Sequence, residues 1–204
     1  MSLNKTSTMK KTAIFGLLLF LGVSAVYVWW VHFNYRFAEV SENKVYKSGR
    51  IPPEEIADFI KRHNIKTVID LRHPGVQDKL NPDNKNSIDL EREAIAKLEN
   101  VRHINIPSTQ VPTRQTLAKF FKVLDDDSVY PVLMHCYHGT GRAQMYSALY
   151  RIEYENYSNE DARATTRTIL YKSSFDKDQP KGDFLINYSP RKNGDESTIN
   201  TLGK

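Results

Sequence analysis

The chain of 204 residues is 40% hydrophobic and 26% charged, a balance that excludes a disordered chain, a collagen-like chain and a polytopic membrane protein. Its single cysteine, Cys136, excludes an internal disulfide and any zinc site built on two or more thiolates. The net charge of +5 does not make a nucleic-acid face: Lys5, Lys10 and Lys11 lie in an acid-free stretch from Met1 to Phe33, and without them 26 basic residues stand against 24 acidic ones.

Residues 12–33, TAIFGLLLFLGVSAVYVWWVHF, carry no Asp, Glu, Lys or Arg, and about 22 residues at about 1.5 Å each cross a hydrocarbon core of about 30 Å. Met9-Lys10-Lys11 before an apolar run also resembles a secretory signal, with Val23-Ser24-Ala25 as its cleavage site. The run continues through Val31 to Phe33, past the roughly 7–15 residues of a signal's apolar region, so the expectation is an uncleaved anchor. Tyr27, Trp29, Trp30 and Tyr35 gather at its C-terminal end, where amphipathic rings settle at headgroup level. Three lysines precede the segment and only Arg36 follows closely. Residues 1–11 are therefore expected in the cytoplasm and the rest of the chain on the other side, periplasmic in a bacterium.

After a linker at 34–43, KVYK at 44–47 reads as a short strand and Ser48–Ile51 as a turn. Pro52-Pro53-Glu54-Glu55 reads as a helix start. Ile56, Phe59, Ile60 and His63 then follow at helical spacing. Thr67-Val68-Ile69 is a buried strand running into Asp70-Leu71-Arg72, where Asp70 and Arg72 are expected to make structural hydrogen bonds. Residues 73–86 are loop by composition. A helix at 87–99, a strand at 101–106, a loop at 107–112, a helix at 113–124 and a strand at 129–134 follow. Met145, Ala148, Leu149 and Ile152 mark the next helix, and Ser158 with Asp161 opens another, to about Tyr171. Strands alternating with helices predict an α/β fold with a mainly parallel central sheet flanked by helices over 44–188, its site at the carboxyl ends of strands. The polar tail, 189–204, is expected to be disordered.

The octapeptide His135-Cys136-Tyr137-His138-Gly139-Thr140-Gly141-Arg142 lies between a strand and a helix. Gly139 and Gly141 let successive N–H groups turn inward at a helix N-terminus, an anion nest to which the helix dipole adds positive potential. Arg142 closes the ring with a planar fork matched to two phosphate oxygens. The same field favours thiolate over thiol at Cys136. A nucleophile inside a phosphate cradle is aimed at phosphorus. A buried structural cysteine in a Gly-rich turn is the alternative. A rhodanese-like sulfurtransferase is disfavoured by the five residues between Cys136 and Arg142.

This strand-loop-helix resembles the protein tyrosine phosphatase superfamily, whose HCxxGxxR signature is met by His135, Cys136, Gly139 and Arg142. From about Val45 to Tyr171, KVYKSGRIPPEEIADFIKRHNIKTVIDLR and ALYRIEYENYSNEDA look like the compact dual-specificity phosphatases. The resemblance implies that Cys136 attacks the phosphoryl group and that Arg142 and the loop Tyr137, His138, Gly139, Thr140, Gly141 hold its oxygens. It also implies that His135 supports the loop from behind, that water hydrolyses a phosphocysteine, and that no metal or cofactor is needed. The partner implied is a phosphorylated protein or small phosphomonoester, with no nucleic acid. A lipid or inositol phosphate phosphatase and a non-catalytic phospholigand-binding module are the alternatives.

Two departures stand out. The family places an Asp general acid in a loop roughly thirty residues before the cysteine, a contribution of about 10²- to 10⁴-fold; here that loop is Pro107-Ser108-Thr109-Gln110-Val111-Pro112. Asp125, Asp126 and Asp127 read as a solvated turn, and Asp78, Asp83 and His138 reach the site only if the loops allow, so the acid stays unassigned. The family's Ser or Thr after the arginine is Ala143 here. Both losses imply a slow enzyme or a pseudoenzyme.

Overall fold

The computed structural model describes residues 3–75, 79–167 and 173–191, in two compact units, Met1–Arg36 and Phe37–Lys204. The first is a single helix, α1 (Leu3–His32), whose stretch Met9–His32 has a mean hydropathy of 2.2 and is long and apolar enough to cross a membrane. Most side chains from Met9 to His32 are exposed, Phe15, Phe20 and Trp29 among them, as in a helix solvated by lipid.

The second unit is an α/β fold around a five-stranded sheet of order β1-β2-β5-β3-β4, with β1 at Ala38–Ser41, β2 at Val45–Ser48, β3 at Thr67–Asp70, β4 at Arg102–Asn105 and β5 at Val132–His135. All pairs are parallel except the β1-β2 hairpin. β3 and β5, TVID and VLMH, are buried along their length, which is why they read as continuous apolar runs and not as alternation. In register, His135 at the end of β5 stands beside Ser48 of β2 on one side and Asp70 of β3 on the other. The carboxyl ends of three strands thus converge where the cysteine loop begins.

The helices are α2 (Ile56–Arg62), α3 (Lys85–Ile95), α4 (Arg114–Leu124), α5 (Arg142–Tyr154), α6 (Asn159–Ala164) and α7 (Pro180–Ile186). α4 starts on a reciprocal cap between Thr113 and Thr116 and buries Leu117, Phe120, Phe121 and Leu124. The Phe120 ring meets Tyr146 of α5 edge to face at 4.6 Å. α5 is buried on most sides, from Ala143 to Ile152, because the sheet, α6 and α7 all pack on it.

Several boundaries differ from the sequence reading. Ala38–Ser41, taken as linker, is the edge strand β1, too short for an alternation to show. Pro52–Glu55 is a turn and α2 starts only at Ile56. α3 begins two residues earlier than expected because Asn84 caps it, its Oδ1 accepting from Ser87 N–H at 2.7 Å, and it ends at Ile95 instead of Glu99. α6 stops at Ala164, well short of Tyr171, which lies with 168–172 outside the described residues. α7 was not anticipated. Of the tail, Ser189–Arg191 belong to the fold: Arg191 pairs with Asp125 and Glu153 at 2.8 and 3.0 Å. The remainder, 192–204, lies outside the described residues.

Candidate active site

β5, the central strand, delivers Cys136 to the carboxyl end of the sheet, and α5 begins six residues later at Arg142. Between them the chain turns at Gly139, where φ is +74° and an added Cβ would lie 2.6 Å from the Ser48 carbonyl carbon. Only glycine fits that conformation and that space. The turn brings Gly139 N–H to 3.3 Å from Cys136 Sγ, and Arg50 N–H donates to the Tyr137 carbonyl at 3.1 Å, tying the loop to the β2 turn. Tyr137 is half-buried, with the Arg50 guanidinium over its ring, whereas His138 and Thr140 are exposed at the mouth.

Arg142 has almost no exposed surface. Its Nη1 donates to the Leu71 carbonyl at 3.0 Å, to the Ser108 carbonyl at 3.4 Å and to Asp83 Oδ2 at 2.5 Å. Among the described residues its Nε and Nη2 are buried and have no partner. One edge of the guanidinium is therefore anchored and the other is left as a two-pronged donor, the geometry that grips two oxygens of one phosphate. Burial works against the charge. The hydrogen bond to Asp83 and the nearby Cys136 outweigh it and keep the group protonated.

A cavity of about 180 Å³ lies at this guanidinium, lined by His73, Asn81, Asp83, Ser108, Thr109, Gln110 and Arg142. It shares Asn81 and Gln110 with an outer basin of about 440 Å³ lined also by His138, Thr140, Gly141 and Lys181. The loop 107–112 thus borders the cavity at Arg142, to which it contributes Ser108, Thr109 and Gln110 and no acid. Asp83 lies at the site; Asp125 and Asp126 do not, being held by Arg191 and Arg102 on a separate surface. Asp78 falls outside the described residues.

Behind the loop is a buried ionic cluster. His135 Nε2 lies 2.8 Å from Glu91 Oε1, which His103 Nε2 approaches at 3.2 Å. Arg72, fully buried, bonds Asp70 through Nε at 2.9 Å and Nη2 at 2.8 Å, and Glu91 Oε2 at 2.8 Å. Asp70, Glu91 and His135 could together offer three metal-ligating atoms. The Arg72 guanidinium already pairs both carboxylates and occupies the cationic role there. Burial opposes ionisation of Glu91, but His135, His103 and Arg72 outweigh it and hold its carboxyl well below the ordinary range. Burial likewise opposes charge on His135, and Glu91 and Asp70 reverse the balance and raise its pKa.

Sequence reasoning missed two participants, Glu91 and Lys181. Glu91 interrupts the Ile88 and Ile95 stripe of α3, and a carboxylate within an apolar stripe was the available signal. Asp83, named from the sequence as reaching the site only if the loops allow, does reach Arg142. Lys181 comes from the unanticipated α7, close enough that a Cβ on Gly141 would meet its Nζ at 3.1 Å.

No curated protein matches this chain by sequence. Among solved structures, the core catalytic domain of the PP-IP phosphatase SIW14 from S. cerevisiae superposes with a TM-score of 0.55 at 16% identity, over 75% of this chain and 85% of that one. TpbA from P. aeruginosa gives 0.55 at 18% identity, over 81% and 89%. A cysteine-to-serine form of TpbA in complex with pTyr gives 0.55 at 17%, over 81% and 88%. These likenesses carry the fold. The sequence itself matches, over residues 24–181, the model of the family described as DSP-PTPase phosphatase fused to NAD+ kinase. With well over half the chain inside that match, the cradle of Cys136 to Arg142 belongs to a phosphatase of the protein tyrosine phosphatase type, a member of this DSP-PTPase family.

Proposed function

We propose that this phosphatase hydrolyses phosphotyrosine or another phosphomonoester through a phosphocysteine on Cys136, from a domain anchored by α1 on the non-cytoplasmic side of a membrane. The observation that carries the reading is the buried pair of unpartnered donors, Arg142 Nε and Nη2, in the loop that also brings Gly139 N–H to Cys136 Sγ. Buried donors without acceptors cost about 1–3 kcal/mol each, and a phosphoryl group held there by Arg142 and the 137–142 amides relieves that cost.

In this mechanism the Cys136 thiolate attacks phosphorus and the leaving oxygen departs. Water then attacks the phosphocysteine, and the sulfur leaves as thiolate. His135, braced by Glu91, holds the loop from behind. Ala143, in the first turn of α5, offers no hydroxyl to the departing sulfur, which slows the second step. α1 supports the anchor by its length and apolarity, and the lysines before it support the orientation.

A second reading, an inositol or lipid phosphate as substrate, is favoured by the outer basin of about 440 Å³ beside the cradle, which Lys181, His138 and Thr140 line. The fold relatives include a PP-IP phosphatase as well as a protein bound to pTyr. The deciding experiment is turnover of a phosphate panel by the fragment from about Asn34 onward: phosphotyrosine peptides, alkyl and aryl phosphates, and inositol phosphates. Vanadate binding without turnover of any of them would indicate a phospholigand-binding module.

A further inference from the structure

The segment before α3 lies across the cysteine loop and is fastened to it at two points. His138 Nε2 meets the Leu80 carbonyl at 2.6 Å, and three residues on, Asp83 Oδ2 accepts from Arg142 Nη1 at 2.5 Å and from the His73 backbone N–H at 2.9 Å. The Asp83 side chain is 3% exposed. Among the described residues its second oxygen, Oδ1, is buried and has no partner, and Asp83 and Arg142 line the same 180 Å³ cavity. One oxygen is thus fixed as an acceptor, while the other is uncommitted, in a residue that lines the cavity beside Arg142. The 107–112 loop contributes Ser108, Thr109 and Gln110 to the same lining, none of which is an acid.

We propose that Asp83 is the proton donor of the reaction, in place of the aspartate absent from 107–112. This rests on Cys136 being the nucleophile. As the Cys136 Sγ–P bond forms and the P–O bond to the leaving group breaks, the leaving oxygen takes the bond's electron pair and the proton from Asp83 Oδ1, departing as an alcohol. In the second step water attacks phosphorus and gives its proton to the Asp83 carboxylate. The S–P electrons return to sulfur, so thiolate and carboxylic acid are both regenerated. The charged and titratable groups around Asp83 are Arg142 in direct contact, His73 in the same cavity lining, Arg72 at longer range, and Cys136, which like Asp83 acts on Arg142.

Asp83→Asn tests the role, because the amide keeps an oxygen for Arg142 and His73 and removes the proton. Alkyl phosphates should lose about 10²- to 10⁴-fold in kcat/KM and nitrophenyl phosphate less than about tenfold, and the basic limb of the pH–rate profile should disappear. Vanadate binding retained within about tenfold shows that the cradle of the variant is intact, and Asp83→Glu should recover part of the alkyl rate. Equal losses on both substrate classes with the pH profile unchanged would overturn the proposal and leave Asp83 as a positioning residue for Arg142. Turnover that survives Cys136→Ser would instead overturn the nucleophile reading, a separate result. A wild type that binds vanadate and hydrolyses none of the esters would overturn both.

Discussion

His135 and Glu91, 44 residues apart in sequence, are joined at 2.8 Å directly behind the cysteine loop. Both are buried, and each shifts the other toward its charged form. Removing one partner from such a pair costs about 3–5 kcal/mol because the remaining charge is stranded. Glu91→Gln should therefore destabilise the domain by about 3 kcal/mol near neutral pH in urea unfolding. A depressed carboxyl stabilises above its unfolded value and loses that contribution as pH falls through the folded one. A raised histidine stabilises below its unfolded value and loses it as pH climbs through the folded one. The gap between wild type and variant should thus shrink below about pH 4, starting from the ordinary carboxylate range, and shrink again on the alkaline side. A gap independent of pH would show that the pair is not ionised.

Arg142→Lys should lose both turnover and phosphate affinity, by at least about 100-fold in kcat/KM. A lysine ammonium cannot hold the Leu71, Ser108 and Asp83 contacts on one edge and two phosphate oxygens on the other. Steady-state kinetics with vanadate as competitor would check it.

Gly139→Ala forces a Cβ against the backbone of Ser48 at a positive φ. The loop should move outward, weakening vanadate binding by about tenfold or more with little change in the sheet, at a stability cost of about 1–2 kcal/mol. Circular dichroism and vanadate titration on the same sample would separate the two effects.

Ala143→Ser restores a hydroxyl at the first turn of α5. With a good leaving group the wild type should show a burst of product followed by a slow steady state, and the variant a faster steady state. Stopped-flow release of nitrophenol measures both phases.

The orientation of α1 is testable by fusing a reporter active only outside the cytoplasm after Lys204. It should be active, with the protein retained in salt-washed membranes. A soluble form starting at Val26 would establish a cleaved signal instead.

The cysteine loop was legible because its information is local: an apolar strand, two glycines, an arginine and an amphipathic helix occur in one run of sequence. The ionic cluster was not, since Asp70, Glu91, His103 and His135 come from four elements that only the sheet order brings together. Asp70 and Arg72 were read as structural, and they are, with Glu91 as the partner that could not be foreseen. α7 has only seven residues and one fully buried apolar side chain, Leu185, too little periodicity to register, so Lys181 at the mouth came unannounced.

The central claim is that catalysis passes through a covalent bond to Cys136. Rapid quenching of the wild type during hydrolysis of an aryl phosphate, followed by mass spectrometry of its peptides, should show phosphate on the peptide carrying Cys136. Cys136→Ser should bind vanadate yet show neither that adduct nor turnover. A Cys136→Ser protein that still hydrolyses the ester at a rate comparable to wild type would refute it.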